Sequence, residues 1–505
     1  MSADNSAQMI LTFQDPNYVA NTLGGNFAVP PGAVSGINSS DNQIVNWEHY
    51  SVQSDFLEST QSFSFTVGDQ FITPQLYALL SRGNQPVQLT CQITDSSGNA
   101  VGNSLVVFTG FTDRSVITNQ GHPATTTFNI TGRDQLGRIC DCGIDPWNSV
   151  YKFTSTMTLG QLVATVVAPY KLTSIYTTDS YNRLLTCGAL ADSPTQTSTI
   201  TIEIPSTSQS EDPTQPLEST SYSVTQHVDP TNVFDLTQQQ LTTLKAVPHE
   251  TKGEFLEKHA NRFHCHMWAT NDGTGVVFGQ PDFTQAPLWT LNKYLDGGVS
   301  AGTVNNVIGS SLDINYAEMP VVIFAKAMTG SGDAATIRSA CCKVNEFTGY
   351  DSNGNVLSEV QALINQYTKP GNSKPYIPVI PPNPKLFQYQ PFFQSITGVP
   401  PCQVYIDETG HHSGTQDQLF GWVSTKMSHL QAKALVYRCT VDDHQQGNQV
   451  WKHNTIATVN DESVGIVGVP MWIKSVHFSK SRGEGTHTDL ELLPVGVVSF
   501  GDSSG

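Results

Sequence analysis

Residues 252–291 read KGEFLEKHANRFHCHMWATNDGTGVVFGQPDFTQAPLWTL, the pattern of a short helix followed by a β-hairpin. Thr251 precedes Glu254 at the spacing of a capping box, which predicts a helix over about 252–262. Apolar runs then flank Asn271-Asp-Gly-Thr-Gly, and an Asp-Gly pair between two strands is a strong hairpin signal. The stretch therefore predicts a helix-hairpin module.

Towards the amino terminus, apolar and polar residues alternate with the period of antiparallel strands. The alternating apolar positions are Phe63, Phe65, Val67, Val87, Leu89, Cys91 and Ile93. Residues 105–116 and 125–134 add two more strands, so this region predicts a small barrel or sandwich. The period then changes at Leu159-GQLVATVVAPY, which predicts a helix that ends at Pro169.

Composition describes a β-rich, weakly charged chain. Of 505 residues only 13% are charged, 38% are hydrophobic, and the formal net charge is −18. A chain of this length predicts three or four domains, and the acidic balance argues against tight binding to nucleic-acid phosphates. No secretory leader and no bilayer-length apolar span is evident, so we expect a soluble chain made in a reducing cytosol.

Nine cysteines are too irregularly spaced to predict a disulfide framework, and they include no CxxC. We therefore expect mostly buried thiols. Their positions are 91, 140, 142, 187, 265, 341, 342, 402 and 439.

The helix-hairpin contains histidine and cysteine residues that could bind a metal ion, but they do not form a complete set of ligands. His264 and His266 would share one face of a strand, with Cys265 between them and His259 nearby. A third ligand and an open coordination position cannot be identified, and the pair Cys140 and Cys142 is distant in the chain. Packing inside the hairpin explains these residues more simply, and we predict no metal ligand.

Other reactive-looking residues also have simple structural explanations. Residues 501–505, GDSSG, superficially match a serine-protease box, but the chain ends before any pocket could be built around it. His249 lacks the second histidine of a zincin helix, and His411 with His412 would lie in an exposed loop. The adjacent Cys341 and Cys342 would place one thiol inward and one outward, and a turn would explain Asp442, Asp443 and His444. We therefore predict no catalytic, cofactor-binding or metal-binding residue, although a carboxylate-based glycosidase is not strictly excluded.

Several runs, in this order, resemble the baseplate hub proteins of contractile-tailed bacteriophages, the Mu-like family. They are Phe108-TGFTDRSV, Thr127-FNITGRDQLGRICDCG, Thr158-LGQLVATVVAPY, the helix-hairpin of 252–280 with its GQPD ending, Val450-WKHNTIATVND, Trp472-IKSVHFS and Gly485-THTDLELLP. The resemblance extends from about residue 50 to residue 497.

The resemblance implies a β-rich α+β chain with two tail-tube-like antiparallel barrels and smaller α/β modules between them. The expected divisions are an amino-terminal arm (1–45), a first barrel (46–145), α/β modules (146–300), a discontinuous second barrel (301–345 and 430–500) and a Pro-rich insertion (346–429). The insertion includes nine prolines between 369 and 402, which we expect to exclude a regular element.

The function implied by the resemblance is structural and requires no cofactor. Three copies would form a ring in the virion baseplate that joins a sixfold tail tube above to a threefold central spike below. Other baseplate proteins would be further partners, and the chain would be made in the host cytoplasm. DNA would pass through the ring during ejection without specific binding, helped by −18 on each copy.

Three other readings remain open at this point. A tail-associated cell-wall hydrolase would require a deep cleft lined by carboxylates or a metal ion. An adhesin would require aromatic residues in an exposed groove. The hub of a non-contractile tail or of a contractile injection system would have the same sequence features as the favoured reading.

Overall fold

The structure is a computed structural model. It describes residues 6–13, 43–44, 47–68, 80, 84–94, 104–120, 125–144, 158–177, 196–205, 219–228, 249–262, 266–279, 281, 285–299, 301–315, 322–329, 336–344, 376–379, 403–412, 433, 435–447, 449–481 and 485–495.

A sheet of 13 strands dominates the described residues. Numbered along the chain, its strands are β1 (Ser6–Phe13), β2 (Gln43–Ile44), β3 (His49–Asp55), β4 (Ser62–Gly68), β5 (Pro86–Thr94), β6 (Leu105–Gln120), β7 (Thr125–Asp134), β13 (Trp289–Lys293), β14 (Val307–Ile314), β19 (Leu435–Asp442), β22 (Thr455–Asp461), β23 (Ile466–Ser481) and β24 (Gly485–Pro494). Its main path runs β14-β19-β24-β23-β3-β4-β7-β6-β5-β1-β2, with β22 and β13 branching from β23. The predicted β-rich class is confirmed.

The sheet divides into two halves at the antiparallel pairing of β3 with β23. We call β1 to β7 the first half and β13, β14, β19, β22, β23 and β24 the second half. One apolar core is shared by both, and the predicted alternation supplies it: Phe63, Phe65 and Val67 are all buried. Among the described strands the ladder is open, and no strand pairing closes either half into a barrel.

The remaining described strands form three smaller sheets. They are a five-stranded sheet of β8 (Ser174–Thr177), β9 (Gln196–Pro205), β10 (Ser219–Val228), β11 (His266–Ala269) and β12 (Gly275–Gly279), a four-stranded sheet of β15 (Val322–Thr329), β16 (Thr336–Val344), β17 (Tyr376–Val379) and β18 (Gln403–His412), and the pair β20 (Gln445–Gln446) and β21 (Gln449–Val450). Thus β15 and β16, expected in the second barrel, pair outside the main sheet, whereas β13, expected among the α/β modules, belongs to it.

Three α-helices pack with the five-stranded sheet around a second core. They are α1 (Leu136–Asp141), α2 (Leu159–Val167) and α3 (Lys252–Arg262), and 3-10 turns occur at Ala168–Tyr170 and Glu462–Val464. We call these three helices with the five-stranded sheet the middle module. Tertiary burial stabilises α2 despite its β-branched residues, because Gln161 is its one exposed side chain.

Two helix starts follow the sequence closely. The Thr251 hydroxyl accepts a 3.1 Å bond from the Glu254 N–H, and the Glu254 carboxylate accepts a 2.8 Å bond from the Thr251 N–H, so the predicted capping box and helix are confirmed. Thr158 and Gln161 form the same arrangement at α2. The α2 segment ends at Val167, before Pro169, and Pro169 itself lies in the 3-10 turn that follows.

Two expectations about loops are wrong. The Pro-rich run of 369–402 contains β17, which pairs in parallel with β16 at the edge of its sheet. An edge strand tolerates proline because only one side of it forms a ladder, so Pro378 does not prevent pairing. His411 and His412 end β18 instead of lying in a loop.

Candidate assembly surfaces

An aromatic junction fixes the middle module to the main sheet. Phe56 follows β3, and its ring centroid lies 5.0 Å from that of Trp268 on β11 and 5.1 Å from that of Trp472 on β23. Phe56 and Trp472 are fully buried, and the Trp472 indole N–H donates a 3.0 Å bond to the Asn454 side-chain oxygen. Large buried aromatic rings with satisfied polar atoms contribute several kcal/mol, so this junction is a stable one.

The GRD residues of the quoted motif end β7 and connect the first half to α1. The Arg133 guanidinium donates a 2.7 Å bond to Asp113 and pairs through two nitrogens with Asp141 at the end of α1. Bonds to both carboxylates raise the pKa of Arg133. Gly132 must be glycine, because a Cβ there would collide with the Phe63 ring and the Phe111 carbonyl.

Asp134, the last residue of β7, acts as a buried backbone cap. Its carboxylate accepts bonds from the N–H groups of Gln61 (2.9 Å) and Leu136 (3.1 Å). Burial raises the pKa of Asp134 to about 7, although these N–H donors act in the opposite direction. Its contacts are with backbone groups, which indicates a structural role.

The hairpin turn docks on the first half. The Asn271 carbonyl accepts a 3.0 Å bond from the Thr109 hydroxyl of β6, and Gly273 has φ +70° with Thr109 directly beneath it. The predicted hairpin between β11 and β12 is confirmed. Its Asp-Gly turn also forms a contact between modules, which the local pattern does not predict.

A buried histidine joins the two halves. His444 Nε2 lies 2.6 Å from the Tyr50 hydroxyl of β3, and its Nδ1 lies 2.9 Å from the Thr488 hydroxyl of β24. Burial lowers the pKa of His444 to about 3, with smaller contributions from Lys480 and other neighbouring charges. The turn expected at this point is present, with Asp443 at φ +71°, but its histidine is a core residue.

A row of alternating charges crosses five strands on the outer face of the main sheet. Asp313 (β14) pairs with Arg438 (β19), Arg438 with Glu491 (β24), Glu491 with Lys474 (β23), and Lys474 with Asp55 (β3), at N–O distances of 2.8 to 3.2 Å. Burial lowers the pKa of Lys474, but its two carboxylate partners outweigh burial and raise it. We call these five residues the charge row.

A depression of about 470 Å³ lies over part of the charge row. Its polar lining includes Ser311, Thr440, His477 and Asp489. Thr440 donates a 2.6 Å bond to Asp489, and His477 Nδ1 lies 3.3 Å from the same carboxylate. These groups are bonded to one another across neighbouring strands, as expected for the polar face of a sheet.

The loop between β13 and β14, which we call the finger, is described at residues 294–299 and 301–306. Its backbone is bonded to itself, with the Thr303 N–H donating to the Gly298 carbonyl at 3.1 Å. Leu295, Val299 and Val304 are nevertheless 78%, 82% and 81% exposed. Three large apolar side chains exposed on an ordered loop indicate a contact surface.

Side-chain amides cover the free edge of β13. The Asn306 side chain accepts a 2.7 Å bond from the Asn292 N–H and donates a 2.8 Å bond to the Thr290 carbonyl. Gln446 binds the backbone of Thr290 through both of its amide atoms, and Asn305 does the same to Tyr294. An edge covered in this way cannot accept another strand.

Of the candidate metal ligands, His264 and Cys265 lie outside the described residues. His266 begins β11 with its ring 5.3 Å from Phe56, and His259 is buried against Phe255. Cys140 is half-buried and Cys142 is exposed at the end of α1. In the described part of the chain, no three metal-binding side chains gather as a cluster.

The other candidate residues are not brought together either. His249 has φ +74° just before α3. Cys341 and Cys342 lie in β16, and their side chains are outside the described set, as is the 501–505 run. The sequence reasoning missed the finger and His444; the apolar residues in the Gly-rich run from Tyr294 to Asn306 were the available signal for the finger.

Within the described ranges, no helix has both the length and the apolar character needed to cross a membrane.

The chain matches no protein-family model and no curated protein, so the comparison rests on solved structures. A tail protein from Neisseria meningitidis MC58 superposes with a TM-score of 0.55 and 14% identity, over 97% of this chain and 98% of that chain. This chain has the fold of a phage tail protein. The 43 kDa tail protein of prophage MuSo2 from Shewanella oneidensis shares that tail-protein fold, with a TM-score of 0.53 and 14% identity over 97% and 99% of the two chains. The resemblance expected from the motifs is therefore confirmed as a likeness of fold.

Proposed function

We propose that this chain is a structural hub of a contractile phage tail. Three copies form a ring in the virion baseplate, joining the sixfold tail tube above to the threefold spike below and contacting other baseplate proteins. The observation that carries the proposal is the tail-protein fold, which extends over nearly the whole length of this chain and of both similar tail proteins.

The main sheet supports the proposed symmetry. Its β3–β23 pairing joins two groups of six strands, with β2 as an extra strand at one end; β22 pairs with the first part of β23 and β3 with the last part. Three copies would therefore present six such groups around one axis. A ring with six similar units can contact a sixfold tube while remaining threefold itself, and each closed ring of this kind uses two different faces per copy.

The polar clusters support a scaffold without catalytic activity. Tyr437 donates a 2.8 Å bond to Asp461, and His444 is held between two hydroxyl groups. Each of these buried polar groups forms a hydrogen bond with another polar group inside the sheet. Such networks make a protein rigid, which suits a connector between two other structural proteins.

Charge supports the passage of DNA without retention. The whole chain has a net charge of −18, and the charge row alternates in sign across the sheet. Phosphate backbones bind clustered lysine and arginine residues, and neither feature provides such a cluster.

The first test is the solution mass of the purified chain by light scattering, followed by mixing with the tube and spike proteins. We expect three times the 54.8 kDa chain mass, and complexes in which the ring binds both partners. A chain that stays monomeric at every concentration and with both partners would contradict the proposal. Clearing of cell-wall substrate in a zymogram would favour the hydrolase instead.

A further inference from the structure

Three side chains on the outer face of the main sheet form a chain of hydrogen bonds in the order Ser-His-Asp. The Ser51 hydroxyl of β3 lies 2.7 Å from Nε2 of His477 on β23, and Nδ1 of His477 lies 3.3 Å from the Asp489 carboxylate on β24. These strands are neighbours in the ladder, so the sheet itself fixes the three side chains relative to one another. We call Ser51, His477 and Asp489 the triad.

The carboxylate determines which histidine nitrogen carries the proton. An ionised Asp489 only accepts hydrogen bonds, so Nδ1 of His477 donates to it and Nε2 keeps a lone pair for the Ser51 O–H. The other Asp489 oxygen accepts a 2.6 Å bond from Thr440 on β19. Ser51 therefore has a base beside it, and that base has an orienting group, which is the arrangement of an activated nucleophile.

The triad can be reached from solvent. The side chain of His477 is 36% exposed and that of Asp489 is 50% exposed. Both residues also line the depression of about 470 Å³, together with the hydroxyl groups of Ser311 and Thr440. A leaving group that takes a proton from His477 would lie on this side of the triad. The hydroxyl lining suits a leaving group that is a polar alcohol.

A hydrogen-bond donor for a developing oxyanion lies beside Ser51. Gln53 is two residues further along β3 and directly opposite His477 in the ladder, so its exposed side chain projects from the same face as Ser51. Its amide group can turn towards a carbonyl bound at Ser51. One flexible donor stabilises an oxyanion less than a preorganised pair of backbone N–H groups. The site therefore suits esters, which have better leaving groups than amides.

We propose that Ser51 is a nucleophile and that this face of the sheet hydrolyses small carboxylic esters of polar alcohols. Ser51 Oγ bonds to the ester carbonyl carbon while its proton passes to His477 Nε2. His477 gives that proton to the alcohol as the ester C–O bond breaks, which leaves the acyl group on Ser51. Water then attacks the acyl carbon and passes a proton through His477 to Ser51, which releases the carboxylic acid. This activity goes beyond the proposed hub function and does not require the ring.

The first test labels the full chain with a biotinylated alkyl fluorophosphonate, which bonds to activated serine hydroxyls and releases fluoride. Peptide mass spectrometry of the wild type should find the label on Ser51, and Ser51→Ala should remove it. His477→Gln should slow the labelling of Ser51 at least about hundredfold, because it removes the general base and keeps a polar side chain. A Ser51 that reacts equally fast in His477→Gln would overturn the proposal.

Ser64→Ala is the matched control for the labelling. Ser64 lies directly opposite Ser51 on β4 and therefore on the same face, but its hydroxyl donates a 3.3 Å bond to Asn129 instead of to a histidine. Its substitution should leave the labelling of Ser51 unchanged. Equal labelling of Ser51 and Ser64 in the wild type would show that Ser51 is not activated, and would overturn the proposal.

The second test measures the release of nitrophenolate from p-nitrophenyl acetate. Ser51→Ala and Asp489→Asn should each lower kcat/KM at least about hundredfold, because the members of a triad act as a unit. Gln53→Ala should lower kcat about tenfold and leave KM unchanged, because an oxyanion donor acts in the transition state. Hydrolysis that is the same in the wild type and in Ser51→Ala would overturn the proposal.

The outcomes separate this inference from the proposed hub. Far-UV circular dichroism verifies that each variant is folded, and light scattering gives the solution mass of the same wild-type sample. A folded trimer that neither takes the label at Ser51 nor hydrolyses the ester overturns the inference and leaves the hub. A chain that is always monomeric but has a reactive Ser51 contradicts the hub and supports the inference.

Discussion

The two halves of the main sheet have a common core but different surfaces. In the first half, β6 and the end of β7 form internal contacts: Arg133 binds α1, and Thr109 binds the hairpin turn of the middle module. The second half instead presents the finger, with Val299 and Val304 more than three-quarters exposed. Similar strands therefore have different roles in the two halves, because the segments that connect them differ.

The edges of the halves differ in the same way. Side-chain amides from the finger stem and from Gln446 cover β13, whereas β6 is bonded beyond its β5 ladder through Thr112, whose N–H donates a 2.9 Å bond to the Gln85 carbonyl. Unpaired strand edges bind other strands indiscriminately unless they are blocked. Covering β13 would restrict contacts to the intended surface, and this comparison can be tested by substitution.

The largest effect is expected at the aromatic junction, which holds both halves to the middle module. Phe56→Ala should lower the free energy of unfolding by about 3–5 kcal/mol, because it leaves a cavity between Trp268 and Trp472. Urea denaturation followed by tryptophan fluorescence measures this. Leu288→Ala, at an exposed position, is the control and should change the value by less than about 0.5 kcal/mol. Equal losses of stability in Phe56→Ala and Leu288→Ala would contradict the proposed role of the aromatic junction.

The contact between the halves should depend on pH through His444. Its pKa of about 3 lies below the ordinary 6.5, so the unfolded chain binds a proton in this interval and the folded chain does not. Stability is therefore complete above pH 6.5 and falls, by at most about 1.4 kcal/mol per pH unit, as the pH decreases towards 3.

His444→Gln should remove this part of the pH dependence of the free energy of unfolding, as measured by urea denaturation from pH 4 to pH 7. An unchanged slope in His444→Gln would show that the histidine does not link the halves.

Opening the covered edge should have an intermediate effect. Asn306→Ala removes two side-chain bonds to β13 and should cost about 1–3 kcal/mol, because the Asn292 N–H loses its side-chain acceptor and the Thr290 carbonyl keeps only the Gln446 donor. It should also promote aggregation, measured by light scattering over time. Asn129→Ala on β7 is the control in the first half, since its single 3.3 Å bond joins two exposed side chains. Aggregation of both variants alike would argue against specific edge protection.

The smallest effect is expected in the charge row. Arg438→Gln should lower the free energy of unfolding by no more than about 1 kcal/mol, because its guanidinium is about half exposed and solvent screens both ion pairs. The difference from wild type should disappear in 1 M salt. A loss several times larger, or one that salt does not reduce, would mean that the row is more than the polar face of a sheet.

Local patterns predicted much of the fold. The Thr251–Glu254 capping box, the Asp-Gly hairpin and the alternation at Phe63, Phe65 and Val67 all form as expected, because each depends on neighbours a few residues away. The role of His444 was missed, because its partners Tyr50 and Thr488 are 394 and 44 residues distant. Proline statistics also failed at β17, where the position of the strand at a sheet edge outweighs its composition.

The sequence by itself determined the β-rich class, the helix starts, the hairpin and the resemblance to tail proteins, since periodicity and turn chemistry are local properties. Only the tertiary structure decided that both halves form one sheet, that Arg133 at the end of β7 anchors α1, and that the finger stands exposed. Strand order and burial depend on contacts between residues far apart in the chain, and no local pattern encodes which apolar residues those contacts leave uncovered.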